Sequence, residues 1–295
     1  MSTAADAPTI AAEPNSLVAE ALKKVTTLAT LPEVTAKIVS TVEDPKSTAA
    51  SLHKIVAHDP ALATRILKVV NSAFYGLPGQ IGSVERAIVL LGLNAIKNIA
   101  VAASLGQLFR GVKLCDNFTA KDLWTHCIAV GVTARELARQ MKLPIADEAF
   151  LAGLIHDTGL LVALQTWPDK LKLACETAQK SERDFCEIER EIVGADHQQL
   201  GQGLAEMWKF PRSCQLVAGY HHKPTTLSDN NRMLATLVFV ADTLCCKQNR
   251  GFNLTALKQK YEDAGIIDMQ IDSRLIEQTA GKLDELVSSA TAVLV

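Results

Sequence analysis

Apolar residues recur every three or four positions along nearly the whole chain, and convincing alternation of apolar and polar residues, the mark of a half-buried strand, is absent. The segment Asp122 to Met141 shows the pattern well: Leu123, Cys127, Val130, Ala134, Leu137 and Met141 fall on one stripe. Such a chain buries its apolar side chains by packing helix on helix, so an all-α fold is expected. The 295 residues admit one large domain or two small ones, and a hydrophobic content of 48% is ample core for either.

Caps and breakers divide the chain. Residues 1–16, rich in Ala, Pro and Thr, read as a disordered lead-in without the basic start and apolar run of a signal peptide. Helices are expected over Leu17 to Leu28 and Pro32 to Val42, with Asp44-Pro45 breaking the second, and over Ser51 to His58. Asp59-Pro60 pairs an N-cap with proline at the first helical position, and Leu62, Ile66, Val69 and Val70 form the stripe beyond it. Asn71 to Gly76 ends that helix, Pro78-Gly79 and Gly82 mark a loop, and Ser83 caps a helix that Gly92 interrupts before Asn94 to Phe109. The polar stretch Arg110 to Thr119 is the best internal boundary. Beyond it, Leu143-Pro144 stops the helix of Asp122 to Met141, and one apolar helix is expected from Asp147 to Leu164. Further helices are expected near Asp169 to Lys180, Asp184 to Val193, His197 to Lys209, Arg212 to His221 and Asn231 to Cys246, with one or two more in Asn253 to Val295.

Charge and composition exclude several functions. Thirty basic residues against 32 acidic ones give a net charge of −2, which leaves no broad footprint for nucleic acid. Leu91-Gly92-Leu93 between two helices has the outline of a helix-turn-helix. The second helix, however, carries a single Lys97 in an Ala-, Ile- and Val-rich sequence and reads as a core helix. No apolar run is counted as long enough to span a membrane, so neither nucleic acid nor membrane is an expected partner and a cytoplasmic location is expected. Seven cysteines, an odd number without a C-x-x-C pair, read as reduced, buried thiols.

Seven residues stand out from this apolar background: His126, His156, Asp157, His197, His221, His222 and Asp242. Five of the seven histidines in the chain are among them. His197 shares a face with Leu200, Leu204 and Trp208; His221 with Cys214, Val217 and Ala218; Asp242 with Leu234, Val238, Ala241 and Cys245. An ionised Asp inside an apolar stripe is costly unless paired or bound to metal. His156-Asp157 lies in Ala152 to Leu161, almost without other polar groups, and His126 lies beside Cys127 on the buried side of its helix. Singly, each has a plain account: a lone core histidine is more often hydrogen-bonded than a ligand, His221-His222 suits a helix C-terminus, and Asp242 suits an arginine partner. Together, five inward-facing segments would each need a separate account, so convergence on metal is expected. Imidazole and carboxylate suit Fe, Mn, Zn or Co, and one carboxylate can bridge two ions. His58-Asp59 is set aside, because Pro60 makes Asp59 a cap.

The same residues carry a family resemblance. His156-Asp157, with His126 before and Asp242 after, resembles the HD-domain metal phosphohydrolases. With His197 and His221-His222 added, the set resembles that of the HD-GYP cyclic-dinucleotide phosphodiesterases. Closer still is the HDOD group, the HD-related output domain of bacterial signalling. Asp59 to Gly76 is similar to its N-terminal signature, and Ser83 to Gly92, Ala152 to Gly159 and Trp208 to Pro211 continue the match in order, over roughly Leu31 to Cys246. The resemblance implies one all-helical HDOD module over 17–290, in which an N-terminal helical bundle (17–112) packs on an HD-like half (118–290). It implies one divalent transition metal on His126, His156, Asp157 and Asp242 and a second on His197, His221 and His222, with Asp157 bridging; Fe, Mn and Zn are the candidates.

Two departures bear on activity. Where HD-GYP enzymes carry a lysine three residues after the Asp of the pair, this chain has Leu160. In place of their Gly-Tyr-Pro segment it has Lys223-Pro224-Thr225-Thr226. No catalytic residue is assigned. Arg212 and Lys223 flank the His-rich segment as candidate phosphate contacts, and Asp122, one turn before His126, is either an outer-shell or third-metal residue or a plain N-terminal helix Asp. The expected function is a stand-alone bacterial signal-transduction protein with a metal-binding HD-like site, acting through signalling proteins, with a nucleotide as candidate ligand. The alternatives are a metal-dependent phosphohydrolase acting on a nucleotide or cyclic dinucleotide, and an oxygen- or redox-responsive di-iron module.

Overall fold

In the computed structural model, which describes residues 16–25, 33–72, 74–109, 111 and 113–295, helix follows helix. After α1 (Ser16–Lys24), three short helices, α2 (Glu33–Glu43), α3 (Ala49–Ala57) and α4 (Pro60–Val70), pack around the long α5 (Val84–Leu105). The second half is built on α6 (Ala120–Gln140), which packs against α7 (Ala146–Ile155), α13 (Asp229–Lys247) and the C-terminal α14 (Ser273–Leu294). Between them lie α8 (Gly159–Thr166), α9 (Pro168–Gln179), α10 (Phe185–Ile192), α11 (His197–Met207) and α12 (Arg212–Tyr220). The all-α expectation is met. All seven cysteines are unpaired and buried.

The starts of the helices follow from their caps. Asp59 accepts from the Leu62 amide at 2.9 Å ahead of Pro60, and Ser83 accepts from the Arg86 amide at 3.2 Å. Thr119 with Asp122, and Asp196 with Gln199, form capping boxes at α6 and α11. At Gly92 the φ of 85° lies in the left-handed region, so the expected interruption is a kink within α5.

The block Asn71 to Gly76 joins the two halves. The Asn71 amide donates to the carbonyls of Leu67 and Ile81, both at 2.9 Å, and its carbonyl accepts from the Ile81 amide at 2.7 Å. That staple fixes the loop after α4. Phe74 and Tyr75 then flank the Arg135 guanidinium of α6, 4.7 Å from each ring centre, while Arg135 Nε pairs with Asp147 at 3.3 Å. Beside them the Asn98 amide of α5 donates to the Asp147 carbonyl at 2.5 Å.

Several sequence expectations are corrected. The single helix expected from Asp147 to Leu164 is two helices, α7 and α8, separated by a turn at His156-Asp157-Thr158. The break lets α8 lie against α11, a contact a straight helix would miss. The polar boundary contains a small antiparallel ribbon, β1 (Lys113–Cys115) and β2 (Phe118–Thr119), too short to show alternation in sequence. Contrary to the expectation of no spanning run, Val84–Phe109 and Ala146–Thr166 have the length and apolar character to cross a membrane. Their most apolar windows are 61% and 89% buried inside the protein, which makes them core helices. Helix α1 ends at Lys24 rather than Leu28, and it packs on α8 and α11 rather than on the helices that follow it. The lead-in, apart from Ser16, and the stretch 26–32 lie outside the described residues.

Glycines set the closest approaches around the future site. A Cβ on Gly153 of α7 would lie 2.6 Å from the Gly131 Cα of α6. One on Gly159 would overlap the His197 carbonyl oxygen. We therefore expect Gly159→Ala to lower unfolding free energy by about 3 kcal/mol or more. Gly281→Ala, on an open face of α14, should be neutral or stabilising by up to about 1 kcal/mol. Urea denaturation of both variants checks the contrast.

Candidate metal centre

Each chemical side chain reaches the interior by a separate route. His126 projects from the first half of α6, His156 and Asp157 lie on the turn that ends α7, and His197 is the first residue of α11. His221 caps the end of α12, His222 follows it, and Asp242 sits in the second half of α13. Six of the seven are completely buried; His222 is slightly exposed, with a side chain 4% accessible.

Asp157 is the centre of this constellation. Its Oδ2 lies 3.3 Å from His156 Nε2 and 3.7 Å from His126 Nε2. Its Oδ1 lies 3.4 Å from both His197 Nε2 and His221 Nε2. Asp242 Oδ1 approaches His126 Nε2 at 3.0 Å and His156 Nε2 at 3.9 Å. On the other side, His197 Nε2 lies 2.8 Å from His222 Nε2 and 3.4 Å from His221 Nε2. Imidazoles thus face both oxygens of Asp157, and the two sides are joined, since His156, His221 and Asp242 also place ligand atoms within 4.8 Å of one another and His222 Nδ1 lies 3.8 Å from Asp242 Oδ2. Asp157, His197, His221 and His222 place one ligand atom each within 4.8 Å of one another, and so do His126, His156 and Asp157.

The far nitrogens explain why the Nε2 atoms converge. His156 Nδ1 faces the Gly153 carbonyl at 2.7 Å, and His126 Nδ1 faces the Arg250 carbonyl at 3.2 Å. His221 Nδ1 faces the last carbonyls of α12, Val217 at 3.1 Å and Ala218 at 3.2 Å. The plain reading of His221 as a helix-end residue therefore holds, and the same bond aims its Nε2 inward. His197 Nδ1 lies 2.5 Å from Glu189 Oε2, a carboxylate on α10 that is itself buried. A histidine whose Nδ1 proton is held by an acceptor presents a lone pair at Nε2, the arrangement found around metal-binding imidazoles.

Charge in this pocket is finely divided. Burial opposes a proton on His197, yet the carboxylates of Glu189 and Asp157 outweigh it and raise its pKa to about 10. Burial likewise opposes charge on His156, but Asp157 and Asp242 raise it. Burial and the neighbouring imidazoles hold His222 well below the usual range. Burial opposes the Asp157 carboxylate, and His156, His221 and His197 nonetheless keep it far below the ordinary carboxylate range. His126 Nε2, His156 Nε2, Asp157 Oδ1 and Asp242 Oδ2 are buried and make no well-aligned hydrogen bond, although His126 Nε2 lies 3.0 Å from Asp242 Oδ1 and His156 Nε2 3.3 Å from Asp157 Oδ2. Buried polar atoms are ordinarily satisfied, so four such atoms aimed into one cluster call for a missing partner. A cation fits them by charge and by donor type, and the cluster could hold metal ions.

The segment after α13 closes the cluster. The Phe252 amide donates to the Asp122 carbonyl at 3.1 Å, and its ring is buried against Phe118 and Phe185. Thr255 Oγ1 donates to Asp157 Oδ2 at 3.4 Å, and the Gln259 amide contacts His222 Nδ1. Cys246, one turn after Asp242, places its sulfur 3.4 Å from Asp242 Oδ1. Sequence reasoning missed Glu189, Cys246, Thr255 and Gln259. Glu189 had a signal, an acidic residue on the apolar side of α10 among Phe185, Cys186 and Ile188. Thr255 and Gln259 had none, because their segment lacks helical period. The remaining candidates lie elsewhere. Asp122 accepts from the Thr119 amide at 2.7 Å and hydroxyl at 2.6 Å as a helix cap. Arg212 is exposed and pairs with Glu206 at 3.3 Å, and Lys223 is exposed.

Comparison with known proteins matches this architecture. An HDOD domain protein of unknown function from Geobacter sulfurreducens superposes with a TM-score of 0.71 at 21% identity, over 92% of this chain and 97% of that one. A candidate phosphohydrolase from Shewanella amazonensis SB2B gives 0.72 at 22% identity, over 94% and 98%. A candidate signal transduction protein from Marinobacter aquaeolei VT8 gives 0.74 at 24% identity, over 95% of this chain and 64% of that one. An uncharacterised protein of Treponema pallidum is 24% identical over 240 residues, and this chain spans 45% of its length. At these identities the likeness establishes the fold. The profile of the HDOD domain matches residues 28–224, two thirds of the sequence, and the chain belongs to the HDOD family.

Proposed function

We propose that this protein is a cytoplasmic signalling module that holds a pair of divalent transition metals in its HD-like half and passes its state to partner proteins. The observation that carries this reading is the burial of the cluster: two carboxylates and four imidazoles are fully buried, and the His222 side chain is only 4% accessible, under Phe252, Thr255 and Gln259. Such a site suits retention of ions better than turnover of a substrate. In this reading His126, His156, Asp157 and Asp242 hold one ion, and His197, His221 and His222 hold the other, with Asp157 facing both. Bound there, the ions would offset the charge of the two carboxylates and supply Lewis acidity. Glu189 fixes His197 for this task by holding its Nδ1 proton. The name of the Marinobacter relative agrees with a signalling role.

A second reading, a metal-dependent phosphohydrolase acting on a nucleotide or cyclic dinucleotide, rests on the two-sided placement of Asp157. The name of the Shewanella relative agrees with it. Two features weigh against it. Leu160, where the phosphodiesterases carry a phosphate-binding lysine, is fully buried in the core. Arg212 and Lys223 are exposed residues with no contact to the cluster among the hydrogen bonds and ion pairs described.

Elemental analysis of protein purified without chelator should find about two equivalents of metal per chain. The double variant His156→Ala, Asp157→Ala should hold less than one and lose its signalling output. A folded, metal-free variant with full output would sink the metal-dependent reading. Protons and metal compete for the same Nε2 atoms. Because neighbouring carboxylates raise His156 and His197, the competition strengthens as pH falls. Apparent metal affinity should drop about tenfold per pH unit for each proton displaced, between about pH 8 and pH 6. Titration against a chelating indicator at several pH values measures this. Metal-loaded protein should leave generic phosphoesters and cyclic dinucleotides intact; metal-dependent cleavage of either would establish the second reading instead.

A further inference from the structure

Beside His126 and Asp242 lies one side chain of a different chemical kind. Cys246 follows Asp242 by four residues on α13, so both side chains leave the same face of the helix. Its sulfur lies 3.4 Å from Asp242 Oδ1, the oxygen that sits 3.0 Å from His126 Nε2. One ligand atom from each of His126, Asp242 and Cys246 falls within 4.8 Å of the other two, and all three residues are completely buried. Two polar atoms of this trio, His126 Nε2 and Asp242 Oδ2, make no well-aligned hydrogen bond. The adjacent Cys245 faces away, with its sulfur 3.5 Å from Thr133 Oγ1.

We propose that Cys246 is a thiolate ligand of the ion held by His126 and Asp242, an assignment that rests on the metal-binding reading above. As the metal–sulfur bond forms, the S–H bond breaks and its proton is released to buffer. The consequence is a pair of unequal centres. The first combines imidazole, carboxylate and sulfur, and the second is dominated by imidazole. Thiolate favours Zn, Fe(II) and Co(II) over Mn and Mg, so the first centre discriminates among metals more sharply than the second.

Loading the full chain with Co(II) tests this directly. Visible d–d bands report bound cobalt, and a near-ultraviolet sulfur-to-cobalt charge-transfer band reports a thiolate ligand. Wild-type protein should show both. Cys246→Ser and Cys246→Ala should keep the visible bands, lose the near-ultraviolet band and bind the first cobalt about tenfold or more weakly. Cys245→Ser should keep both bands. Bound cobalt without the charge-transfer band in wild type, or a band that survives both Cys246 variants, overturns the assignment and leaves the metal-binding reading standing. Wild type that binds no cobalt overturns both. Should the Cys246 variants fail to fold, X-ray absorption of zinc-loaded wild type decides the question. A sulfur scatterer at about 2.3 Å supports the thiolate, and a shell of nitrogen and oxygen alone removes it.

Discussion

A carboxylate buried with no access to water, on a turn between two core helices, is the constraint that organises the second half of this protein. Moving a carboxylate out of water costs on the order of several kcal/mol even after relaxation, unless charge of opposite sign surrounds it. Asp157 meets that requirement with imidazoles from four directions, His156 beside it in sequence, His126 from α6, His197 from α11 and His221 from α12. Bringing so many elements to one residue demands close packing. It is obtained at Gly153 against Gly131 and at Gly159 against the His197 carbonyl, where no other side chain fits. The break between α7 and α8 belongs to the same solution, because it lets the chain deliver Asp157 and then turn α8 onto α11.

The first half connects to this centre through rigid pieces. Helix α6 carries Arg135, gripped by Phe74 and Tyr75, and also His126. Helix α7 begins beside Asp147, the partner of Arg135 and Asn98, and leads to His156 at its other end. Asn71, Phe74 and Tyr75, at the end of the signature-like stretch Asp59 to Gly76, thus contribute packing and hydrogen bonds. They fix the ends of two helices whose opposite parts hold the cluster. A change of charge at Asp157 and a change of contact at Arg135 act on the same two helices.

Much of this was legible in sequence wherever a residue broke the pattern of its own helix. His197, His221 and Asp242 were noticed as polar groups on apolar stripes, and all three are buried in one cluster. Asp59 was legible as a cap because Pro60 follows it, and it caps α4. The turn at His156-Asp157-Thr158 was not legible, because the residues on both sides of it within Ala152 to Leu164 are apolar or glycine and keep no phase to lose. The ribbon at Lys113 to Thr119 was too short to alternate. Thr255 and Gln259 approach the cluster from a segment without helical period, so local pattern could not point them inward. Cys246 shares a stripe with Asp242, but a buried cysteine in a helix is ordinary and carries no contradiction to notice.

On the proposed reading, closure of the cluster and metal binding would reinforce one another. Without a cation, four buried polar atoms of the cluster are left without a well-aligned hydrogen bond. On the proposed reading, metal removes that frustration, and its binding free energy adds to the stability of every contact that closes the cluster. Those contacts belong to the stretch from Arg250 to Gln259, where Arg250 also pairs with Asp284 of α14. Helix α14 in turn packs on both α6 and α4, and the Trp124 indole donates to the Leu294 carbonyl at 2.9 Å. On that reading, gain or loss of metal would act on a helix that touches both halves of the protein. On the proposed reading, a module built this way would report on its own metal content through its surface.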